Sequence, residues 1–132
     1  MKGFITNIEK DTEGNNYFRK VIFTAKYSQL VLMSLKPEEE IGEEVHENLD
    51  QFFRFEDGEG KAVIEGEEFQ VGDGFAVVIP AGTKHNIINT SSEKPLKLYT
   101  IYSPPNHQDG TIHQTKEEAE ASEEHFDGKT SF

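Results

Sequence analysis

Cysteine is absent from the 132 residues of this sequence, so disulfide scaffolds, thiolate zinc sites and cysteine nucleophiles are excluded. Long apolar runs are also missing. No segment approaches the ~20 apolar residues that a membrane-spanning helix needs, and Met1–Lys10 lacks the apolar core of a signal peptide. We therefore expect a cytoplasmic protein.

Basic residues are scarce as well. The sequence has 13 Lys and Arg against 25 Asp and Glu, which gives a formal net charge of −12. So acidic a chain repels phosphate backbones and anionic membrane surfaces, and this argues against nucleic-acid and membrane partners. The partner we expect is a small molecule, bound by one domain of ordinary size.

The apolar residues that are present are concentrated in the middle of the chain. Ten Phe and four Tyr supply large buried area, and most of them lie between Phe18 and Tyr102. We divide the chain into an N-terminal arm (1–16), a β domain (17–103) and a C-terminal loop, short helix and tail (104–132). Within the arm, the polar run Asp11–Asn16 is predicted to be a turn or loop.

Short runs rich in β-branched and aromatic residues, separated by Gly, Pro and acidic turns, are typical of strands. The predicted strands are Tyr17–Ala25, Gln29–Leu35, Glu43–His46, Gln51–Glu56, Lys61–Ile64, Glu67–Gln70, Phe75–Ile79, His85–Asn89 and Leu96–Tyr102. Asp57–Gly60 and Glu65-Gly66 resemble hairpin turns. Many short strands without intervening helices predict an all-β antiparallel sandwich or barrel.

Three further expectations follow from the pattern. Leu30–Leu35 is apolar on both faces, so a second sheet or a partner must cover it, and we expect a homodimer. Lys97 is predicted to face water, which places Leu98, Thr100 and Tyr102 on the interior side of the last strand. A short helix is predicted over Thr115–Glu124, capped by Thr115.

The most distinctive stretch is Gly74–Asn89, GFAVVIPAGTKHNIIN. It predicts a buried strand, a Pro80-Ala81-Gly82 turn in which Gly82 can take positive φ, and a returning strand. His85 shares one face of that strand with Ile87 and Asn89. A single histidine in such a strand is more often a hydrogen-bonded core residue than a ligand.

A second stretch favours a ligand. In EEEIGEEVHENLDQFFRFEDGEG, which spans 38–60, Glu44 and His46 are two residues apart and therefore share a face in a strand. Gln51 follows five residues later. Together with His85, these side chains offer two imidazoles, a carboxylate and an amide oxygen, which suit a divalent first-row metal with open coordination positions.

The two stretches together resemble the cupin superfamily, specifically its small single-domain members. The second cupin motif is matched at all its defining positions, which are Gly74, Pro80, Gly82, His85 and Asn89. The first motif is matched in spacing, but Glu38 replaces a Gly, Glu44 a His and Gln51 a Glu. An alternative alignment that pairs His46 and Asn48 with the His-x-His positions spoils the spacing to Gly58.

The resemblance implies a double-stranded β-helix, a jelly-roll barrel that holds one divalent transition metal (Mn, Fe, Ni or Zn). Carried over position by position, the metal ligands would be Glu44, His46, Gln51 and His85. The family's usual ligands, three His and one Glu, carry the same formal charge as this set. The alternative is a metal-free barrel in which these four polar residues hydrogen-bond to one another.

Pocket residues are also implied. We expect Phe53, Phe55, Tyr102 and His107 to line a substrate pocket, while the sequence assigns no catalytic residue. His107 and His113 could fold over the barrel mouth as acid–base groups, although a plain surface loop is the simpler interpretation. Arg54 alternates with the phenylalanines and is predicted to form an outward ion pair.

Three functions remain open, because one fold hosts many chemistries. The first is a metal-dependent enzyme that acts on a sugar-like or oxygen-rich molecule by Lewis-acid and proton-transfer chemistry. Similar small cupins often carry a mannose-6-phosphate isomerase-like label, but no basic cluster for a sugar phosphate is visible in the sequence. The second function is a non-catalytic small-molecule (sugar) binder, and the third is a non-haem iron dioxygenase-like protein.

Overall fold

The computed structural model describes residues 2–132, so Met1 of the predicted N-terminal arm lies outside the described residues. The described residues form nine strands and two short helices. The strands are β1 (Arg19–Thr24), β2 (Gln29–Leu35), β3 (Asp50–Asp57), β4 (Glu59–Ile64), β5 (Glu67–Gly72), β6 (Ala76–Ile79), β7 (His85–Asn89), β8 (Leu96–Ser103) and β9 (Ile112–His113). The helices are α1 (Ile8–Gly14) and α2 (Lys116–Ala121). Neither helix, within residues 2–132, has the length and apolar character that crossing a membrane requires.

The strands form two antiparallel sheets. The larger sheet has the order β6-β3-β8-β2-β1-β9, and the smaller has the order β5-β4-β7. The all-β prediction is confirmed, as is the short C-terminal helix, where the Thr115 hydroxyl accepts the Glu118 amide at 3.2 Å. The Glu65-Gly66 hairpin between β4 and β5 is also confirmed, since these two strands pair.

Alternation along the strands places one face of each sheet inside. Phe53 and Phe55 of β3 and Leu96 and Leu98 of β8 are almost fully buried between the sheets. Each such side chain contributes about 1.5–3 kcal/mol by leaving water. Thr100 and Tyr102 continue the interior face of β8. The interior is therefore apolar around Leu96 and Leu98 and polar at the Tyr102 end.

The second motif has a clear structural role. Gly82 has a φ of 83°, a conformation that costs glycine little, and it forms the turn between β6 and β7. Asn89 is fully buried at the end of β7, and its amide nitrogen contacts three backbone oxygens, those of Leu35 (3.1 Å), Lys36 (3.0 Å) and Lys94 (2.8 Å). Asn89 therefore ties β7 to the end of β2 and to the start of β8.

Glu38 stands where the first motif has a glycine, and its backbone conformation is that of a glycine. Its φ of 64° lies in the left-handed region, where glycine is the usual residue and other L-residues are strained by about 1–2 kcal/mol. The position that carries glycine in the family motif thus keeps the backbone conformation of a glycine, although the residue has changed.

Two predictions about the arm and the last strand are wrong. Residues within the predicted loop Asp11–Asn16 belong largely to α1, whose first turn is capped by the Asn7 side chain. Lys97 is only 5% exposed, because its ammonium group donates to the Asn15 carbonyl and, at 2.8 Å, to Asn16 Oδ1. The arm thus covers the outer face of β8 and supplies the polar partners of a buried lysine.

Two predictions about local geometry are also wrong. Asp57–Gly60 is no hairpin, because β3 and β4 belong to different sheets and the segment turns a corner between them. Glu43–His46 forms no strand; only Glu44 makes an isolated bridge, to His85. In both regions the outcome depends on which strands pair, and those strands are far apart in the sequence.

Part of the outer face of the large sheet remains apolar. Val78 of β6 is 64% exposed, and the rings of Phe52 and Tyr99 lie beside each other with centroids 6.2 Å apart. A partner of the predicted homodimer would find its apolar contact here. The homodimer itself stays a prediction.

Candidate functional site

The four predicted ligand residues come from three places in the fold. Glu44 and His46 lie on the segment between β2 and β3, Gln51 is in β3, and His85 begins β7. Two backbone hydrogen bonds, Glu44 N to His85 O at 2.9 Å and His85 N to Glu44 O at 3.0 Å, lock that segment against β7. This bridge brings the side chains of Glu44 and His46 to β7, next to His85.

Three of the side chains lie together at the polar end of the interior. Glu44 Oε2 lies 2.7 Å from His46 Nε2, and the His46 and His85 ring centroids are 5.7 Å apart. Gln51 is buried opposite Tyr102 in the β3–β8 register, and its amide nitrogen donates to the Thr100 hydroxyl at 3.0 Å. Tyr102, whose ring contacts His46, lies between Gln51 and the other three residues.

Gln51 Oε1 is buried without a hydrogen-bond partner in residues 2–132. His46 Nε2 is also buried, and its polar neighbour is Glu44 Oε2 at 2.7 Å. His85 Nδ1 donates to the Thr83 carbonyl at 2.9 Å, so in the neutral ring Nε2 keeps its lone pair. A carbonyl that fixes the tautomer in this way is a common feature of histidine ligands to metals.

The charges in this region favour an ionised carboxylate. Burial acts to raise the pKa of Glu44, but the adjacent His46 imidazole, with Arg19 and His85, outweighs burial and holds that pKa below its ordinary value. Glu44 is therefore a carboxylate at neutral pH, as a metal ligand must be.

The donor atoms of this set are of the types that bind divalent ions, but they are not arranged around a single point. Within residues 2–132, no group of three or more His, Cys, Asp and Glu side chains is arranged to hold a metal as it stands. The contact between Glu44 and His46 is shorter than the roughly 3 Å that separates two ligands of one ion with bonds of about 2.0–2.2 Å. An ion would take the place of this contact, with Gln51 and His85 as the other donors.

The predicted pocket residues separate into two groups. Phe53 lies beside His85, with ring centroids 6.0 Å apart, whereas Phe55 is deeper in the apolar core. Tyr102 contacts the edge of His46 (centroids 6.0 Å apart) and, on its other side, His107 (5.2 Å). Tyr102 therefore connects the four-residue set with the loop that follows the barrel.

His107 is held in place by residues that sequence analysis did not select. Its backbone amide donates to the buried Gln29 side chain at 2.9 Å, and its Nδ1 lies 2.6 Å from Glu124 Oε1. Its Nε2 is 3.3 Å from the Tyr102 hydroxyl. We call this series of contacts the Glu124–His107–Tyr102 chain. The surface-loop interpretation of His107 and His113 is wrong, because both are buried.

The chain has defined protonation states at neutral pH. Burial raises the pKa of Tyr102 to about 12, so its hydroxyl keeps its proton. Burial also lowers the pKa of His107, despite the opposing effect of Glu124, so the imidazole is neutral. Burial acts to raise the pKa of Glu124, but hydrogen bonds from His107 and the Gln108 amide outweigh it and lower that pKa to about 2.

The low pKa of Glu124 predicts a pH-dependent contribution to stability. A carboxylate whose pKa falls from 4.5 to about 2 on folding stabilises the protein fully above pH 4.5 and loses this effect as the pH falls toward 2. Glu124→Gln should therefore be less stable than the wild type at pH 7, by about 1–2 kcal/mol, and equally stable near pH 2. Urea unfolding at the two pH values measures the difference.

Glu123→Gln is the matched control, because the neighbouring Glu123 is exposed. It should leave stability unchanged at both pH values. A gap between wild type and Glu124→Gln that is as large near pH 2 as at pH 7 would contradict the assignment of an ionised, hydrogen-bonded carboxylate.

A recess of about 380 Å³ lies beside His46, one member of the four-residue set. Its walls also include the Pro104–Asn106 turn and the tail residues His125 and Phe126. The loop and tail after the barrel thus form one side of this recess, and His107 and Glu124 belong to this same segment.

The comparisons with known proteins give one family model and several similar proteins. A family model described as "Cupin domain" matches residues 31–102. The uncharacterized protein YrkC of Bacillus subtilis (strain 168) is 49% identical over 93% of this chain and 69% of its own length. The crystal structure of BH2720 from Bacillus halodurans is similar with a TM-score of 0.88 and 44% identity, covering 90% of this chain and 94% of that one.

Proposed function

This chain is a member of the cupin family and has its double-stranded β-helix fold, and on that premise we propose that it is a metal-binding cupin acting on a small oxygen-rich molecule by proton transfer. The observation that carries the proposal is the buried Gln51 Oε1, which has no hydrogen-bond partner in residues 2–132, together with the close contact between His46 and an ionised Glu44. A buried acceptor normally has a partner, and a cation held by this set would supply one.

Four residues would hold the ion: Glu44, His46, Gln51 and His85. Their nitrogen and oxygen donors suit Mn, Fe, Ni or Zn, and they do not distinguish among these metals. When bound, such an ion polarises the oxygens of a substrate as a Lewis acid. The protein's own contribution is to orient these donors and to exclude water from the apolar side of the site, where Phe53 packs against His85.

His107 is the group best placed to move a proton. Its Nδ1–H is held by the Glu124 carboxylate, so Nε2 is free to exchange a proton through the Tyr102 hydroxyl. A neutral imidazole with a carboxylate behind it is a competent general base, because the carboxylate stabilises the imidazolium that forms. This chain reaches the rim of the four-residue set, where Tyr102 touches His46.

Two other functions remain as alternatives. A non-catalytic binder would use the same residues to hold a small molecule without turnover. A dioxygenase-like protein would use His46, His85 and Glu44 as a two-histidine, one-carboxylate face for iron. Against the latter, Gln51 is a fourth donor at the position that oxygen or substrate would need.

Turnover experiments separate these functions. Purified wild-type protein, loaded separately with each of the four metals, is incubated with sugars, hydroxy acids and diketones and followed by NMR. Enzyme function predicts product that disappears on chelation and falls at least about 100-fold in His107→Gln, which lacks the acid–base group. Ligand shifts without product indicate a binder, and consumption of oxygen indicates the dioxygenase-like alternative. Unchanged turnover in His107→Gln would contradict the proposed proton transfer.

A further inference from the structure

Gln29 is a buried amide beside Tyr102, and the proposed function gives it no role. It is the first residue of β2 and is 1% exposed. In the register of the large sheet it lies opposite Thr24 of β1 on one side and opposite Tyr102 of β8 on the other. Tyr102 in turn lies opposite Gln51 of β3. Gln29 therefore belongs to the same polar end of the interior as the candidate metal site.

The amide of Gln29 bonds to the backbone of the loop that follows β8. Its Nε2 donates to the His107 carbonyl at 2.7 Å and to the Thr24 hydroxyl at 2.9 Å. Its Oε1 accepts the backbone N–H groups of His107 at 2.9 Å and of Asn106 at 3.1 Å. These four bonds use both donors and both lone pairs of the amide. They also determine its orientation, because exchanging its oxygen and nitrogen would set donors against donors.

These bonds give His107 what a neighbouring strand would otherwise supply. A pair of residues on adjacent antiparallel strands exchanges an N–H and a C=O with each other, and here one side chain bonds to both groups of His107. The sheet itself does not continue to this point, because β8 ends at Ser103 and is followed by Pro104 and Pro105. Proline has no N–H to pair. The Gln29 side chain therefore holds the His107 backbone beyond the end of the sheet.

The place of the His107 ring depends on that backbone. Its Nδ1 lies 2.6 Å from Glu124 Oε1, and its Nε2 lies 3.3 Å from the Tyr102 hydroxyl. Hydrogen bonds are lost beyond about 3.5 Å, so a backbone displacement of about 1 Å is enough to break at least the longer contact. A displacement of that size in a group that transfers a proton lowers the rate by up to about 100-fold.

We propose that Gln29 is a positioning residue, which holds the backbone of His107 so that the imidazole lies between Glu124 and Tyr102. This proposal rests on the proton transfer proposed above and adds the residue that keeps the ring in place. The amide is specific for this task, because it donates and accepts at the end of one side chain. A glutamate would set a carboxylate against the His107 carbonyl, and an asparagine is one methylene shorter.

The test compares wild type with Gln29→Met, Gln29→Glu and Leu35→Ala, all as full-length proteins. Methionine keeps the unbranched shape of the side chain but forms none of the four hydrogen bonds. Leu35 provides the matched control, since it is fully buried at the other end of β2, about 20 Å away, and pairs with Leu96. Leu35→Ala lowers the stability of the same strand without removing a bond to His107. Proton and nitrogen-15 NMR at pH 7 follow the ring of His107.

In wild type we expect a His107 Nδ1–H signal that is far downfield and slow to exchange, because the proton is held by a carboxylate at 2.6 Å. Both Gln29 variants should lose this signal, and Leu35→Ala should keep it. Exchange of the Asn106 and His107 backbone amides should become about 10- to 100-fold faster in Gln29→Met, as the loss of one or two hydrogen bonds implies. On any substrate that wild type converts, kcat should fall about 10- to 100-fold while KM changes less than about threefold.

A Nδ1–H signal that survives in both Gln29 variants, or that is lost equally in Leu35→Ala, would overturn the positioning role. A measurement on wild type decides the question even if neither Gln29 variant folds. A scalar coupling is expected between the His107 amide nitrogen and the side-chain carbonyl carbon of Gln29, across their 2.9 Å hydrogen bond. Absence of this coupling would overturn the proposal.

The NMR signal and the turnover together separate this proposal from the proposed function. A signal lost in Gln29→Met with unchanged turnover would support the positioning of the ring by Gln29 and contradict proton transfer by His107. A signal retained in Gln29→Met, whatever the turnover, would contradict the positioning role and leave the proposed function standing.

Discussion

Replacing His85 with alanine is expected to remove the bound metal from protein purified without added ions. Wild type should carry about one transition metal per chain, and His85→Ala and His46→Ala less than about a tenth of that. Each variant deletes an imidazole whose Nε2 is free of protein donors, so nothing else fills the position. Elemental analysis for Mn, Fe, Ni and Zn measures the content.

Asn86→Ala is the control on the same strand. Its side chain bonds to Gly42 and Glu40 on the opposite face of β7, so metal content should not change. His125 is unsuitable as a control, because it lines the same recess as His46. Gln51→Glu restores the residue of the family motif and should raise metal affinity at least about tenfold, since a carboxylate is the stronger ligand. Metal retained at wild-type levels in both histidine variants would exclude this site.

The largest expected loss of stability comes from Asn89→Asp. The substitution keeps the size of the side chain but replaces an amide donor by a carboxylate that faces the carbonyls of Leu35, Lys36 and Lys94. Because the group is fully buried, we expect a loss of about 3–5 kcal/mol. For a domain of this size that lowers the Tm by more than about 10 °C, measurable by circular dichroism.

Asn86→Asp makes the same chemical change three residues earlier, at a half-buried position on the other face of β7. Its cost should stay below about 1 kcal/mol. If Asn89→Asp melts within about 2 °C of the wild type, Asn89 does not tie the strand ends together.

Much of the fold could be predicted because its strands follow local rules. The bounds of Gln29–Leu35 and His85–Asn89 agree with the structure, since alternation and flanking turns define them without knowledge of the partner strand. The corner at Asp57–Gly60 could not be predicted, because glycine and acidic residues serve a hairpin and a corner between sheets equally well. The difference lies in which strands pair, and that is a long-range property.

The site residues that stand at motif positions could be predicted from the sequence, whereas those outside any motif could not. His85 and His46 stand at motif positions. Arg19 and Glu124 do not: Arg19 is followed directly by Lys20 in β1, and nothing local says which of the two basic side chains faces the interior. The burial of Lys97 was likewise hidden, because its partners come from the arm some 80 residues earlier in the chain.

The origin of the two groups of residues has an evolutionary consequence. All four candidate metal ligands lie between 44 and 85, whereas His107 and Glu124 come from the segment after the barrel. Inheritance can therefore act on the two parts separately, since mutations in the last thirty or so residues change the proposed proton-exchange group and leave the four candidate ligands in place. Descendants of such a gene can diversify in reactivity without rebuilding the scaffold.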